Sequence, residues 1–344
     1  MRRILLVALA SVSMVASVSL FATQNTGAIG IPTGDFSIEV SPSPLFATVQ
    51  PGTSTVLDLK IRNASIQPEE LKIEARSFSL IGDKQTIHLS DSTPPELAEW
   101  ISYSAPTFMV DPGEWFQQKI TVALPEEAGF SHSFALVISR VNESATDPTN
   151  GRLLKGSVAI FTLINIDKPG ATRKLEIESL TTSQPVYEYL PATIQLRLKN
   201  SGNSIVQPYG NFYLQRGTND KNPLAVLSVN DSNGYILPGA TKDITTKWSD
   251  GFPVYKTSEN GSFVDWSLSQ ARDFRLGKYT AKVVAVYNDG SRDIPLVGEV
   301  TFWVLPWKIL LGGIIAAALL IVGIWTIMRQ IGQKFRHLRT PKRP

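Results

Sequence analysis

The sequence predicts an all-β protein with two tandem β-sandwiches followed by one transmembrane α-helix. Three observations lead to this prediction. Apolar and polar residues alternate in short stretches, the order of the stretches recurs in two halves of the chain, and one long uncharged run lies near the C-terminus. Alternation with a period of two is typical of half-buried antiparallel strands. Many such strands, separated by Pro, Gly, Asn and Asp, are typical of sandwiches.

Composition and charge limit the classes of function that suit the chain. Its 344 residues are enough for two domains of ordinary size. The residues from 4 to 307 carry 24 Lys and Arg and 30 Asp and Glu, a net charge of −6, and the remaining cations lie at the two ends. A mildly acidic middle argues against nucleic acid as a partner, because nucleic acid requires clustered cations. The chain has no cysteine, which favours a bacterial origin for an exported protein.

The N-terminus has the pattern of an export signal. Arg2 and Arg3 precede an apolar stretch from Ile4 to Leu20, and small residues follow it. This order predicts a signal peptide over residues 1–23, with cleavage near Ser19 or Ala22. An uncleaved N-terminal anchor is the alternative. Under either interpretation, the chain that follows is exported.

An internal repeat divides the middle of the chain into two domains. The matching pairs are 57–65 with 194–202, 110–125 with 236–248, and 129–141 with 276–288. Each pair contains an alternating strand with the same turn residues beside it. We therefore predict an immunoglobulin-like β-sandwich over 34–168 and a second one over 173–304. Residues 167–170 form the linker, because a Pro-Gly pair flanked by charges interrupts a strand.

Each strand is expected to bury one face against a second sheet. The predicted core of the first domain consists of Phe36, Ile38, Val40, Leu57, Leu59, Ile61, Ile73, Ile120, Val122, Phe134, Leu136 and Ile138. The predicted core of the second consists of Ile194, Leu196, Leu198, Phe212, Leu214, Ile244, Tyr279, Val283, Ala285 and Tyr287.

The C-terminal run predicts a membrane span. Residues 309–328 contain no charge, and about 20 apolar residues match a hydrocarbon core of about 30 Å. Trp303, Trp307 and Trp325 lie at or near its ends, where indole rings favour the membrane interface. We predict a transmembrane helix over 307–328 and a basic cytoplasmic tail over 329–344. The tail contains six Lys and Arg and no acid, which predicts a cytoplasmic C-terminus and an extracellular N-terminal ectodomain.

Turn signatures in the first domain resemble those of one bacterial family. They are Val40-Ser41-Pro42, Val49-Gln50-Pro51-Gly52, a strand ending at Asn63, Trp100-Ile101, Val110-Asp111-Pro112-Gly113-Glu114, and the strand that leads to Leu124-Pro125. Together they resemble the first domain of WxL-interacting bacterial surface proteins. The resemblance implies immunoglobulin-like domains and a C-terminal membrane anchor, with peptidoglycan associated with the first domain and other extracellular ligands with the second. At the level of the fold, the chain also resembles periplasmic pilus chaperones.

A search for catalytic or metal-binding patterns favours a protein that is not an enzyme. His337 lies in the tail, and His88 and His132 have no neighbouring residues at metal-ligand spacing. Glu69-Glu70 and Glu126-Glu127 are adjacent pairs beside prolines, where turns are expected. Neighbours on a strand face opposite ways, which argues against a cooperating carboxylate pair. No catalytic residue, cofactor or metal is predicted.

The aromatic residues are the candidates for recognition. Trp100, Trp115, Trp248 and Trp266, together with Tyr209, Tyr213 and Tyr235, are interpreted either as a stacking face for carbohydrate or protein, or as core packing. The second domain has an insertion, roughly 250–272, without a counterpart in the first. Trp266, Tyr255 and Phe263 lie in it and are the predicted partner-binding residues, since recognition is commonly carried by loops on a rigid scaffold. The alternative is a lid that packs over the end of the sandwich.

These features together predict a membrane-anchored bacterial cell-surface binding or adhesion protein. Its ectodomain is expected to engage cell-wall polymer or another surface protein. A structural spacer at the cell surface and a wall-acting hydrolase are the alternatives. A hydrolase needs a buried constellation with perturbed pKa values, and a binding protein needs an exposed aromatic or apolar patch.

Overall fold

The computed structural model describes residues 36–81, 86–141, 156–217, 222–258, 261–267 and 272–338. The predicted signal peptide, 1–23, lies outside the described residues, as does the end of the predicted tail.

The first domain is a β-sandwich of two sheets. Its elements are β1 (Ile38–Ser41), β2 (Leu45–Val49), β3 (Ser54–Asn63), β4 (Glu69–Arg76), β5 (Phe78–Ile81), β6 (Thr86–Leu89), α1 (Pro95–Trp100), β7 (Ile101–Tyr103), β8 (Thr107–Val110), β9 (Trp115–Ala123), β10 (Ser131–Arg140) and β11 (Ser157–Ile166). One sheet has the order β1-β3-β9-β7 and the other the order β2-β11-β10-β4-β8. The edge strand β2 runs parallel to β11, whereas the remaining pairs are antiparallel.

The core of this domain lies between the inner faces of the two sheets. Alternation in β3 buries Leu57, Leu59 and Ile61, while the residues between them face solvent. The predicted core residues from Leu57 to Ile138 are buried in one cluster, and Phe36, Ile38 and Val40 pack partly buried against it. The period-two pattern therefore identified the buried face correctly.

Strand β10 departs from the half-buried pattern. Its residues from Phe134 to Ser139 are all buried, because the β5–β6 hairpin covers the outer face of the sheet. Phe78 and Leu89 of this hairpin pack with Ala135, Val137 and Phe161. The hairpin forms a third layer outside the two sheets. The residue pattern of β5 and β6 did not predict that they cover β10.

The second domain repeats this architecture. Its elements are β12 (Leu175–Thr182), β13 (Val186–Tyr187), β14 (Ala192–Asn200), β15 (Tyr209–Arg216), β16 (Ala225–Ser228), β17 (Thr241–Trp248), β18 (Val254–Ser258), β19 (Gly261–Asp265), β20 (Gly277–Asn288) and β21 (Asp293–Val304). One sheet has the order β12-β14-β17, the second has β13-β21-β20-β15-β16, and β18 and β19 form a separate hairpin. All ten predicted core residues of this domain are buried in one cluster.

A buried asparagine ends β3 and closes the turns around it. The side-chain amide of Asn63 donates to the carbonyl oxygens of Gln67 (2.7 Å) and Val110 (2.9 Å). Its Oδ1 accepts from the backbone N–H of Ser65 at 2.9 Å, and its carbonyl oxygen accepts from Gly113 N at 2.7 Å. The side chain of Asn63 thus satisfies three backbone groups at the end of the strand, those of Gln67, Val110 and Ser65.

Asn200 makes the same bonds at the end of β14. Its amide donates to the carbonyl oxygens of Ser204 (2.8 Å) and Ile236 (2.9 Å), and its Oδ1 accepts from Gly202 N at 3.0 Å. Its carbonyl oxygen accepts from Gly239 N at 2.9 Å. The two asparagines are equivalent down to the positions of their partners, which confirms the repeat that the sequence predicted.

The two sandwiches are joined by direct hydrogen bonds. The amide of Asn165, at the end of β11, donates to Ile205 O at 2.9 Å and accepts from Ile205 N at 2.8 Å. Both residues are buried. Phe46 of the first domain stacks on Tyr235 of the second, with ring centroids 5.0 Å apart. The predicted linker, 167–170, is therefore accompanied by non-local contacts that hold the two domains together.

The chain ends in a long helix, α2 (Trp307–Leu338). Its first 24 residues, Trp307–Gln330, contain an 18-residue window with a mean hydropathy of 2.5, and none of this window is buried against the protein. By length and composition this helix can cross a membrane. The helix continues past 328 into the segment predicted as the tail.

Candidate functional site

The predicted insertion in the second domain is a β-hairpin. Strands β18 and β19 pair from Val254↔Asp265 to Ser258↔Gly261. They lie between β17 and β20, whereas the equivalent strands of the first domain, β9 and β10, are joined by residues 124–130. The hairpin is therefore an addition to the sandwich.

The base of the hairpin is part of the fold. Val254 is buried in the core of the domain and forms a bridge with Leu190. Tyr255 N donates to Leu190 O at 2.7 Å, and Phe252 N donates to Asp273 O at 2.9 Å. These contacts fix the direction in which the hairpin leaves the sandwich.

The three predicted partner-binding residues are exposed but do not share one face. Tyr255, Phe263 and Trp266 have exposed fractions of 39%, 52% and 54%. Tyr255 lies opposite Val264 and Phe263 lies opposite Lys256 in the register of the hairpin. Because neighbouring positions on a strand point to opposite faces, Phe263 is on the other side of the hairpin from Tyr255.

Tyr255 and Trp266 meet around Tyr189, a buried residue outside the insertion. The ring centroid of Tyr189 lies 5.5 Å from that of Tyr255 and 6.0 Å from that of Trp266, and Phe252 lies 6.1 Å from Trp266. We call Tyr189, Phe252, Tyr255 and Trp266 the aromatic cluster. Burial, and next the nearby carboxylate of Glu188, raise the pKa of Tyr189. Tyr189 at the centre of the cluster is buried, whereas Tyr255 and Trp266 remain partly exposed to solvent.

The aromatic cluster lies at the end of the second domain from which α2 leaves. Strand β13 pairs in parallel with the last residues of β21, and Leu305 N donates to Tyr187 O at 2.7 Å. Glu188 Oε2 lies 3.0 Å from Lys308 Nζ, in the first turn of α2. Segment 186–190 thus contacts the start of the helix and the base of the hairpin. Trp303, Leu305 and Trp307, at the same end, are also exposed.

Three cations near the aromatic cluster are paired with acids. Lys256 Nζ lies 2.5 Å from Asp265 Oδ2. Arg275 lies 3.0 Å from Asp250 and 3.3 Å from Asp273, and its guanidinium stacks over the buried ring of Trp248. Lys308 is held by Glu188, so the three cations closest to the rings in these contacts are each neutralised by an acid.

Two of the other tryptophans are core residues. Trp248 is fully buried and packs against Tyr279 and Phe302 in the core of the second domain. Trp100 packs against the first core and lies 4.9 Å from the ring of His132. Core packing was the correct interpretation for these two tryptophans.

Trp115 is the exception in the first domain. It begins β9 on the outer face of the four-stranded sheet, with an exposed fraction of 52%. Arg62 lies directly opposite on β3 and pairs with Glu39 at 3.1 Å, and its guanidinium is 6.0 Å from the indole centroid. Gln117 follows on the same exposed face. The arrangement is one exposed indole ring bordered by hydrogen-bonding groups on the outer face of the sheet.

The histidines and the paired glutamates have structural surroundings. Burial lowers the pKa of His132, which packs beside Trp100. Glu69 is buried and forms a two-bond pair with Arg140 at 2.7 Å for each bond, whereas Glu70 is exposed. The two glutamates begin β4 rather than lying in a turn, but they face opposite ways as expected for a strand. In the described part of the chain, no group of three or more His, Cys, Asp or Glu side chains is placed to hold a metal ion.

Sequence comparison identifies no relative of the chain, since no family model and no curated protein sequence matches it. Among solved structures, the chain is similar to the chaperone–tip subunit pre-assembly complex of the archaic Csu pili of Acinetobacter baumannii, with a TM-score of 0.36, 14% identity, and 76% of this chain and 97% of that chain covered. It is similar to the YadV chaperone, with a TM-score of 0.35, 12% identity and coverages of 76% and 99%. It is also similar to the CupB2 chaperone of Pseudomonas aeruginosa, with a TM-score of 0.33, 12% identity and coverages of 78% and 100%. The fold class rests on the strand topology described above.

Proposed function

We propose that this chain is a single-pass membrane protein of the bacterial cell surface, related to the WxL-interacting proteins that its turn signatures resemble. The two sandwiches form an ectodomain outside the cell that binds cell-wall polymer or another surface protein. The observation that carries the proposal is that β21 leads, through two residues, into α2, whose apolar window within Trp307–Gln330 is not buried by the protein. An apolar surface of this length in contact with water would be strongly unfavourable, and a bilayer removes it from water.

The charge distribution supports the proposed orientation. The segment after residue 328 contains six Lys and Arg and no Asp or Glu, whereas residues 4–307 carry a net charge of −6. Cytoplasmic segments beside membrane helices are enriched in Lys and Arg. The ectodomain therefore belongs on the outer side of the membrane.

The outer face around Trp115 favours wall polymer as the ligand of the ectodomain. Sugar rings have apolar faces that stack on an exposed indole, and their hydroxyl and amide groups bond polar neighbours such as Arg62 and Gln117. Tyr255, Trp266 and Phe263 form a second exposed aromatic region, at the helix end of the ectodomain. A spacer would need neither exposed surface, and a hydrolase would need a catalytic constellation in place of an indole platform.

The orientation can be tested with single cysteines, because the parent chain has none. A cysteine replacing Ser258 is expected to react with a membrane-impermeant thiol reagent on intact cells, and a cysteine replacing Thr340 is expected to react only after lysis. Thiol labelling followed by gel mobility measures both variants. Labelling of the Thr340→Cys variant alone on intact cells would reverse the proposed orientation.

The ligand can be tested by co-sedimentation of the detergent-solubilised full chain with purified cell wall. We expect Trp115→Ala to weaken binding by about 2 kcal/mol, close to 30-fold in Kd, as for a central aromatic contact. Stability should change little, because the indole is half exposed. Trp303→Ala, at an equally exposed indole of the second domain, is the matched control. Equal binding by both variants would remove Trp115 from the proposed site.

A further inference from the structure

The hairpin and the start of α2 are neighbours through one short segment of chain. Tyr255 N bonds Leu190 O, and two residues before Leu190 the carboxylate of Glu188 holds Lys308. Tyr189 lies between these two contacts and packs against both Tyr255 and Trp266. The aromatic cluster is therefore positioned by the same five residues that position the first turn of the helix.

This placement puts exposed rings next to the membrane that the helix is proposed to cross. Trp307 opens α2 and is half exposed. Indole and phenol rings favour the interface between hydrocarbon and water, a layer of about 5–8 Å on each side of the hydrocarbon core. Trp266 and Tyr255 present rings of the same type, and Tyr255 is close enough to Lys308, the residue after Trp307, to interact with its charge. An exposed aromatic surface continuous with a membrane helix is best covered by the lipid headgroups around that helix.

The charges indicate which kind of lipid contact this is. Lys308, Lys256 and Arg275 are each paired with an acid within 3.0 Å. A surface that binds anionic lipid uses unpaired Lys and Arg clusters. These three cations are neutralised locally, so we expect the contact to depend on the rings more than on the charge of the lipid.

We infer that Tyr255 and Trp266 rest in the headgroup layer of the membrane crossed by α2, giving the ectodomain a second contact with that membrane. This inference rests on the proposed membrane anchoring and names what covers the exposed side of the aromatic cluster. The helix alone is a single tether about which the ectodomain can tilt. A second contact on the hairpin restricts the tilt. Wall polymer or surface proteins are then left to Phe263 and to the first domain.

The test uses the full chain reconstituted into phosphatidylcholine vesicles, with and without an anionic lipid. A nitroxide is attached to a cysteine replacing Thr257, an exposed residue on the same face of β18 as Tyr255. The matched control is a cysteine replacing Ser232, an exposed residue near Tyr235, where the second domain meets the first. Power-saturation measurements compare collisions of each label with oxygen, which partitions into lipid, and with a water-soluble nickel complex.

We expect the label at Thr257→Cys to collide several-fold more with oxygen, relative to nickel, than the label at Ser232→Cys does. The difference should be the same with and without anionic lipid, and it should disappear when Tyr255→Ser and Trp266→Ser are added. Equal, water-like accessibility at both positions would overturn the inference. The inference would also be overturned if the label at Thr257→Cys became less accessible to nickel only when wall polymer or another membrane protein was added, whatever the lipid. Vesicle flotation separates this failure from failure of the proposed function: a chain that does not float with the vesicles contradicts the anchoring itself, which also overturns the inference.

Discussion

Replacing Asn200 by alanine is expected to destabilise the second domain by about 3–5 kcal/mol. The substitution removes three side-chain bonds. The buried carbonyl oxygen of Ser204 and the N–H of Gly202 lose their partner, and the carbonyl oxygen of Ile236 keeps only its bond from Val206 N. Each unsatisfied buried group costs about 1–3 kcal/mol. Since a domain is stable by only about 5–15 kcal/mol, this is a large fraction of the total.

The measurement is thermal unfolding of the detergent-solubilised full chain, in which we expect the transition of the second domain to fall by about 10 °C or more. Asn200→Asp should be similarly damaging, because a carboxylate keeps the size of the side chain but cannot donate to the two carbonyl groups. Asn288→Ala is the control: Asn288 is exposed, although it also bonds Asp293 and Gly290. An equal effect of Asn200→Ala and Asn288→Ala would show that the buried asparagine does not hold the turns together.

Replacing two tryptophans of the second domain by alanine is expected to cost very different amounts of stability. Trp248 is fully buried, and Trp248→Ala should cost about 3–5 kcal/mol through the cavity that it leaves beside Tyr279 and Phe302. Trp266 is 54% exposed, and Trp266→Ala should cost about 1 kcal/mol or less while reducing the difference in lipid contact at the hairpin.

Denaturant unfolding of both variants measures these costs side by side. Each substitution removes the same atoms, so the comparison isolates the effect of burial. A loss of stability for Trp266→Ala as large as that for Trp248→Ala would mean that the hairpin acts as a lid whose ring completes the core. In that case the exposed ring would have no separate role in contact with a membrane or a partner.

The strands and their buried faces were predictable from sequence because they depend on local alternation. The positions of Asn63 and Asn200 at the ends of matching strands also indicated the repeat. The sequence did not reveal that both residues bond backbone groups many positions away, at Val110 and Ile236. It also gave no indication that β5 and β6 cover β10, since their short pattern is compatible with any strand.

The candidate site could be predicted only in part, for a related reason. The insertion and its three aromatic residues were found as an interruption of the repeat. Tyr189, whose ring contacts those of Tyr255 and Trp266, lies outside the insertion. The position of the hairpin beside α2 depends on the parallel pairing of Val186 with Trp303, residues far apart in the chain. Pairings of this kind leave no periodic signal in either segment.

The direct passage from β21 to α2 has a mechanical consequence. If the first domain is held at the wall, tension between wall and membrane enters the second domain at Val304, along the axis of β21. That strand is bonded to β20 over twelve residue pairs, from Gly277↔Val304 to Asn288↔Asp293. A pull along the strand loads these pairs together, rather than opening them one at a time. The length of time for which the chain can bear a load is then set by the unfolding rate of this domain, which force accelerates, rather than by its equilibrium stability.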